Sequence, residues 1–145
     1  MADGGAGVWY PRALKRYRRS ARPSPDCGMR DYRSFEPWQE ARAVTTTTFT
    51  VARSHWKPEA AALFDHLQRA ALSVQSNIVL ACTLEPRKFA SHLTIAWGSA
   101  METADLLETG LKEGILPGDD AVAAIRRSKR CQELLIEHIK RHMSS

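Results

Sequence analysis

The sequence predicts an all-α protein, an antiparallel up-and-down four-helix bundle behind a disordered N-terminal leader. Three observations carry this prediction. From residue 29 onward apolar residues recur at steps of three and four in four successive blocks, and proline or glycine separates the blocks. The third observation is composition, since 145 residues with 43% hydrophobic and 26% charged side chains suit one domain with a modest core.

The leader, residues 1–28, is rich in Gly, Pro, Ser and Arg and has no regular apolar period, which predicts disorder. It holds six basic and two acidic residues, which leaves 15 of the 21 basic and 14 of the 16 acidic residues in 29–145. The net charge of +5 therefore resides mainly in the leader. Two interpretations stay open: a basic arm for nucleic acid or acidic partners, and a non-functional extension ahead of a true start at Met29. The basic residues of the leader are Arg12, Lys15, Arg16, Arg18, Arg19 and Arg22.

The first helix is predicted from about Ser34 to His55, with Ser34 as N-cap and Pro37 in the first turn. The β-branched run at 44–49 favours a strand when taken alone. Helix is predicted nevertheless, because the rest of the chain offers no partner strand. The inward residues are Phe35, Trp38, Ala41, Thr45, Phe49 and Ala52.

The second and third helices show the clearest apolar stripes. The second is predicted from Pro58 to about Thr83, and the third from Glu85-Pro86 to Gly114. The inward residues of the second are Ala60, Leu63 or Phe64, Leu67, Ala71, Val74, Ile78 and Ala81. Those of the third are Phe89, Leu93, Ala96, Ala100, Ala104, Leu107 and Leu111.

The fourth helix is predicted to follow Pro117-Gly118, with Asp119 or Asp120 as its cap. Four helices of about 20 residues or more with short connections pack as an antiparallel bundle. The inward residues of the fourth helix are Val122, Ile125, Gln132, Ile136, Ile139 and Met143.

Two segments exceed what a single bundle needs to fill its core. The second helix is apolar on every side at 78–82, and Trp97-Gly98-Ser99-Ala100 places small residues beside a large aromatic ring. Both features favour a second buried surface and hence self-association, although the same residues could instead fill a thick core. Asn77 is interpreted as a polar residue that fixes register or subunit contacts. The candidate subunit-interface residues are Asn77, Val79, Leu80 and Trp97.

Three segments resemble a known family. They are Met29–Gln39, with its Ser-Phe-Glu-Pro-Trp, Leu67–Ile78, with its Gln-Ser-Asn-Ile, and Phe89–Glu102, with its Ile-Ala-Trp-Gly-Ser-Ala. In this order they resemble the bacterial four-helix-bundle family named after the 23S rRNA intervening-sequence protein. The resemblance spans 29–145 and implies an up-and-down bundle that forms ring-like homopentamers, with no biochemical activity implied. A related accessory protein of diversity-generating retroelements works with a reverse transcriptase and nucleic acid.

The second helix departs from the family pattern at two places. Gln75 stands where the family usually has Pro, and Val79-Leu80-Ala81 stands where it usually has Ala-Glu-Gly. Without that glycine the second helix is expected to run longer, and any role tied to the glutamate is not carried over.

No motif in the sequence supports catalysis, and a non-enzymatic protein without cofactors is predicted. His138 and His142 share a helix face but have no third metal ligand nearby. Glu102 and Asp105 lack the Glu-x-x-His pattern of bundle di-metal sites. Cys82 and Cys131 are interpreted as small hydrophobic residues rather than nucleophiles.

The fourth helix carries a cluster of cations that are the candidate nucleic-acid-binding residues. Arg126, Lys129 and Arg130 share a face by their spacing, and Arg127 adjoins it. Repeated around a ring, this stripe could make salt-sensitive contacts to RNA or DNA phosphates. The alternative is a solvated face neutralised in part by Glu133 and Glu137.

The compartment predicted is the cytoplasm. The apolar runs are far shorter than a membrane span, the N-terminus lacks a secretory signal, and the three cysteines make no CxxC pair. The leading functional hypothesis is an oligomeric adaptor or scaffold with a protein partner. The alternative is a nonspecific nucleic-acid-binding ring that uses the fourth helix.

Overall fold

The computed structural model describes residues 32–84 and 86–144. In these two ranges the chain forms four long helices and no β-strand. Each helix packs on the next one along the chain, and the fourth packs on the first, which closes an up-and-down four-helix bundle and confirms the predicted fold class. The predicted leader, 1–28, and the proposed start at Met29 lie outside the described residues. The helices are α1 (Glu36–His55), α2 (Ala61–Thr83), α3 (Phe89–Lys112) and α4 (Gly118–Met143).

The start of α1 differs from the prediction. Ser34 is not the N-cap, because it belongs to a 3₁₀ turn over Tyr32–Ser34. Phe35 occupies the N-cap in an extended conformation without a side-chain cap hydrogen bond, and its carbonyl accepts the first helical bond from Trp38 N at 3.0 Å. The buried ring of Phe35 therefore anchors the start of the helix through apolar packing rather than through a hydroxyl cap.

The β-branched run of α1 is helical, as predicted. Pro37 lies in the first turn, where its missing N–H costs nothing. Thr45 and Thr48 are buried, and the Thr45 hydroxyl donates to Ala41 O at 2.9 Å, so burial and local bonding outweigh the weak helix propensity of threonine. Trp38 and Phe49 are only partly buried, because the stripe also includes Val44, Thr48 and Val51.

The second and third helices begin slightly later than their prolines predict. Pro58 and Pro86 open 3₁₀ turns, and the α-helices follow at Ala61 and Phe89. Of the predicted inward residues in these two helices, all are buried except Leu63 and Leu111, which are half-buried. α2 continues to Thr83, as its sequence predicted.

The end of α3 is set by glycine. Gly114 has φ 69°, the left-handed conformation in which glycine is favoured, and it stops the helix as predicted. The chain then folds back over Gly110, whose carbonyl accepts from Ile115 N at 2.9 Å and from Leu116 N at 3.1 Å. Leu116 is buried and closes this end of the core.

Ile139 of α4 is buried as predicted, but the rest of the inward face predicted for this helix was wrong by about one residue. Val122 and Met143 are exposed, and Ile125, Gln132 and Ile136 are only half-buried. The prediction followed the large aliphatic side chains, whereas small residues occupy the centre of the stripe where α4 approaches its neighbours closely. Asp119 and Asp120 are not caps, because α4 starts at Gly118 with Pro117 at the N-cap; they lie in the first turn instead. The residues buried on α4 are Ala121, Ala124, Ser128, Cys131, Leu134, Leu135 and Ile139.

The core has two apolar halves and a layer of small residues that includes Ala41, Ala71, Ala100, Ser128 and Cys131. One half gathers around Phe89 and Leu135, and the other around Phe64 and Leu107. The buried hydroxyl of Ser128 donates to Ala100 O at 2.8 Å, which satisfies a polar atom inside the layer. None of the helices in the described part of the chain combines the length and apolar character of a membrane span.

Candidate interaction surfaces

The outer surface of α2 and α3 contains a region without charged side chains. Residues 70–84 and 89–101 include no Asp, Glu, Lys or Arg. Large apolar side chains are nevertheless exposed there, with Leu72 at 44%, Leu80 at 37%, Ile95 at 51% and Met101 at 46%. A surface that exposes large apolar side chains and carries no charge is typical of a surface that another protein covers.

A ladder of hydrogen bonds joins the two helices along their seam. Ser73 Oγ and Ser99 Oγ are 2.8 Å apart, and Asn77 Nδ2 donates to Ser73 O at 2.9 Å. His92 Nδ1 lies 3.2 Å from Asn77 Oδ1, so that the ring nitrogen is the donor. The polar groups of the seam therefore satisfy one another.

The exposed hydroxyls beside the seam bond to the helices that carry them. Ser76 Oγ donates to Leu72 O at 2.8 Å, and Thr94 Oγ1 donates to Ala90 O at 2.7 Å. Removing water from such groups leaves their hydrogen bonds intact, which lowers the cost of covering them. We define the uncharged face as the outer surface made by Ser73, Ser76, Asn77, Leu80, His92, Thr94, Ile95, Gly98 and Ser99.

Gly98 opens the uncharged face to close approach. It is exposed, and no heavy atom lies within 4 Å of the position that a Cβ would take. A neighbouring helix could thus contact the α3 backbone at this point. The glycine costs α3 some helix stability, which its own bundle does not recover through packing.

The four candidate interface residues do not form one patch. Asn77 lies half-buried in the seam, and Leu80 is exposed one turn further along α2. Val79 is half-buried on the side of α2 turned away from Asn77, because two residues correspond to a rotation of about 200°. Trp97 packs partly buried against the core half around Phe89. Sequence reasoning missed Ile95, although its position three residues after His92 places it beside the seam.

The candidate nucleic-acid-binding residues of α4 are exposed, but three of the four are paired. Arg127 Nη1 lies 3.3 Å from Glu40 Oε2, and Arg130 Nη2 lies 3.4 Å from Glu36 Oε1, so both reach α1. Arg126 has no carboxylate within 4 Å among the described residues. The sequence had suggested only partners on α4, such as Glu133, and these pairs across helices add to them.

The third paired cation joins α4 to α3. Lys129 Nζ lies 3.3 Å from Glu108 Oε1. The cation cluster of α4 therefore has carboxylate partners on both neighbouring helices and does not form an isolated positive stripe.

The residues considered for metal binding or catalysis make packing or polar contacts within the bundle. The rings of His138 and His142 lie 4.7 Å from Phe35 and 5.3 Å from Phe89, centroid to centroid. The carboxylate of Glu102 contacts the ring Nε2 of His66 on α2. Within the described residues no three His, Cys, Asp or Glu side chains are grouped to hold a metal ion.

Cys131 is a buried thiol in the core, as predicted. Burial raises its pKa from the usual 9.0 to about 12, and the carboxylate of Glu40 adds to the rise. The thiol therefore stays protonated near neutral pH, and a protonated thiol is a poor nucleophile.

The fold and these surfaces define the class of the protein, a small up-and-down helical bundle with an uncharged face exposed on its second and third helices. A family model described as 23S rRNA-intervening sequence protein matches residues 33–137, which include α1, α2, α3 and most of α4. The chain belongs to this family, as its three motifs indicated. No curated protein has significant sequence similarity to the chain.

Proposed function

We propose that this protein is a non-enzymatic oligomeric scaffold of the cytoplasm, in which copies of the chain meet through the uncharged face and hold a protein partner on their remaining surfaces. The observation that carries the proposal is the exposure of Leu80 and Ile95 within a surface that lacks charge. Both side chains flank a seam whose polar groups are already satisfied, so their burial would gain apolar contact at a low desolvation cost.

The assembly that we propose is a homopentamer, which the family resemblance implies. Five chains of one kind around an axis require a heterologous contact, in which the uncharged face of one copy meets a different surface of the next. The exposed Leu72 and the half-buried Val79 on the far side of α2 are suited to that second surface.

The nucleic-acid ring built on Arg126, Arg127, Lys129 and Arg130 remains the alternative. Arg127, Lys129 and Arg130 form ion pairs with Glu40, Glu108 and Glu36, respectively. The nucleic-acid ring is therefore less favoured than the scaffold, because each carboxylate already neutralises a positive charge that would otherwise attract phosphate.

The proposal is tested by placing a charge on the uncharged face. Leu80→Glu and Ile95→Glu should each lower the mass in sedimentation equilibrium from about five times the chain mass of 16.2 kDa to that of one chain. Burying an unpaired carboxylate in an interface costs far more free energy than the apolar contact contributes. Trp97 is a poor position for this test. It packs against the core, so a charged residue there would destabilise the fold as well as any interface.

Val122→Glu is the matched control. Val122 is exposed to the same 37% as Leu80 but lies on α4. It should leave the mass unchanged, and circular dichroism should show equal helix content in all variants. A monomeric wild-type chain at micromolar concentration, or an unchanged mass in both test variants, would refute the proposal.

A further inference from the structure

His92 is the one side chain of the uncharged face that gains a charge near neutral pH. Residues 70–84 and 89–101 contain no Asp, Glu, Lys, Arg or Tyr, and His92 is the only histidine in them. A histidine side chain becomes positively charged as pH falls through about 6.5. The face therefore lacks charge only while His92 is neutral, and acid adds one positive charge to it.

The hydrogen bonds of the seam determine which ring nitrogen takes up the proton. Asn77 Nδ2 donates to Ser73 O at 2.9 Å and to Ser73 Oγ at 3.3 Å, which leaves Oδ1 to face His92 Nδ1 at 3.2 Å. In the neutral ring Nδ1 therefore carries the hydrogen and donates it to Asn77. Nε2 makes no hydrogen bond within the described residues, so the additional proton binds there.

The hydrogen-bond partner of His92 does not balance a positive charge. Asn77 supplies an amide oxygen, which accepts the bond but carries no net charge. His66, at the other end of the same seam, differs because its Nε2 contacts the carboxylate of Glu102. A proton on His66 is neutralised by that carboxylate, whereas a proton on His92 leaves a net charge on the face.

The charged residues nearest to His92 on its own side of α3 are cations. Lys88 precedes His92 by four residues and so lies on the same side of the helix, and Arg87 adjoins Lys88. Both are exposed. In sequence, Glu85 is the one acidic residue in the connection between α2 and α3. The two cations make the addition of a third positive charge less favourable.

The helices that pack on α3 place no carboxylate beside His92. Asp65, the acidic residue of α2, lies about 18 Å from Asn77 along the helix axis. α4 packs on a different side of α3, because Glu108, which lies 3.3 Å from Lys129 of α4, is rotated about 160° from His92. The ionisable residues at the end of α4, which lie on that different side, are Glu137, His138, Lys140, Arg141 and His142.

A neighbouring copy of the chain would not neutralise His92 either. The surface that we proposed for that copy, around Leu72 and Val79, belongs to residues 70–84, which include no acidic residue. Covering His92 with it removes water from Nε2 and supplies no carboxylate in return. Burial then favours the neutral ring, because desolvation disfavours the charged form of an ionisable group.

We propose that protonation of His92 releases the contact between copies, so that the scaffold assembles near neutral pH and dissociates in mild acid. The proposal rests on the scaffold function, because the uncharged face must be the interface. The assembled state then binds fewer protons than the separate chains, and the association constant falls as pH falls. With one such histidine in each contact, the fall is about tenfold for each contact between about pH 7.5 and 5.5.

The test is sedimentation equilibrium of the full chain at about pH 7.5, 6.5 and 5.5, at constant salt and over concentrations that span dissociation. The wild type should associate about tenfold more weakly for each contact at the lowest pH than at the highest. His92→Gln retains an amide N–H for Asn77 Oδ1 but does not ionise, so its association should be nearly independent of pH. His92→Lys carries a fixed charge and should associate weakly already at pH 7.5.

His66→Gln is the matched control on the same seam. It also replaces a histidine by glutamine, but His66 contacts a carboxylate and lies outside the uncharged face. This variant should keep the pH dependence of the wild type. Circular dichroism should show the same helix content for every protein at each pH, which separates dissociation from unfolding.

Five results would overturn the proposal. They are a wild-type association constant that does not change with pH, a pH dependence that persists in His92→Gln, one that disappears in His66→Gln, full association of His92→Lys at pH 7.5, and a loss of helix content that accompanies dissociation. Each of these leaves an assembled wild type at neutral pH, so the scaffold proposal stands. A wild type that is monomeric at pH 7.5 would instead refute the scaffold proposal, and this one with it.

Discussion

Ser73 on α2 and Ser99 on α3 meet through their side-chain hydroxyls at 2.8 Å across the seam of the two helices. Ser73 Oγ also accepts from Asn77 Nδ2 at 3.3 Å, and Ser99 O accepts from Thr103 Oγ1 at 2.7 Å. The helices that carry the uncharged face are thus joined by small polar side chains on its surface and by apolar packing beneath it. The geometry of that face depends on the ladder.

The first prediction concerns this pair. Ser99→Ala should destabilise the protein by about 1 kcal/mol, because it leaves a half-buried hydroxyl of Ser73 with only its longer bond from Asn77. Ser73→Ala/Ser99→Ala should cost less than the sum of the single changes, since both partners are then absent. Urea unfolding at one fixed protein concentration measures all three. Strict additivity would show that the two hydroxyls are not coupled.

The second prediction contrasts two glycines of α3. A Cβ at Gly110 would lie 2.6 Å from Leu116 Cδ1 and 2.7 Å from Leu116 Cγ. Gly110→Ala should therefore destabilise by about 1–3 kcal/mol, the usual cost of overpacking. The clash involves Cγ as well as Cδ1, so rotation of Leu116 about χ2 alone does not relieve it.

Gly98→Ala is the control for Gly110→Ala. Nothing lies within 4 Å of the Cβ position at Gly98, so alanine should stabilise the isolated helix by about 0.5–1 kcal/mol through its higher helix propensity. Thermal unfolding at matched concentrations should move the midpoints in opposite directions. A loss of oligomer in Gly98→Ala would locate the close approach of a second copy at this residue.

Sequence patterns predicted the helices better than the faces they bury. Pro37 and Gly114 marked helix boundaries because their backbone constraints act locally. The burial of Ser128 and the exposure of Val122 on α4 depend on how closely the helices approach, which periodicity does not record. The side of α4 that faces its neighbours was therefore assigned to the wrong large residues.

Part of the candidate interaction surface could be predicted from the sequence pattern. The apolar run around Leu80 exceeded what one bundle buries, and Leu80 is exposed. The pairing of Arg127 with Glu40 could not be predicted from the sequence, because the two residues are 87 positions apart. Contacts of this kind require the three-dimensional arrangement of the helices.

The third prediction concerns the ion pairs of α4. Arg127→Gln and Lys129→Gln should each change the free energy of unfolding by less than about 1 kcal/mol, because both cations are more than half exposed. Salt near 1 M should reduce the difference from the wild type further. A loss well above this range in urea unfolding would mean that Glu40, the less exposed partner, needs its cation.

The fourth prediction is a pH dependence that originates at Cys131. The thiol donates to Pro37 O, with Sγ 3.4 Å from the oxygen, and burial keeps its pKa near 12 in the folded protein. In the unfolded chain the thiol deprotonates near pH 9. Between these values the unfolded state binds fewer protons than the folded state, so stability falls as pH rises.

The fall should amount to at most about 1.4 kcal/mol per pH unit for this one proton, and it should be absent below about pH 8. Cys131→Ala should remove it, although the variant loses some packing at every pH. Urea unfolding of both proteins at pH 7, 9 and 10.5 measures the effect as a difference. The lysine and tyrosine titrations in this range are common to both chains and cancel in that difference. A constant difference between wild type and Cys131→Ala across the series would mean that the thiol ionises without opening the bundle, and that water reaches the small-residue layer where Cys131 lies.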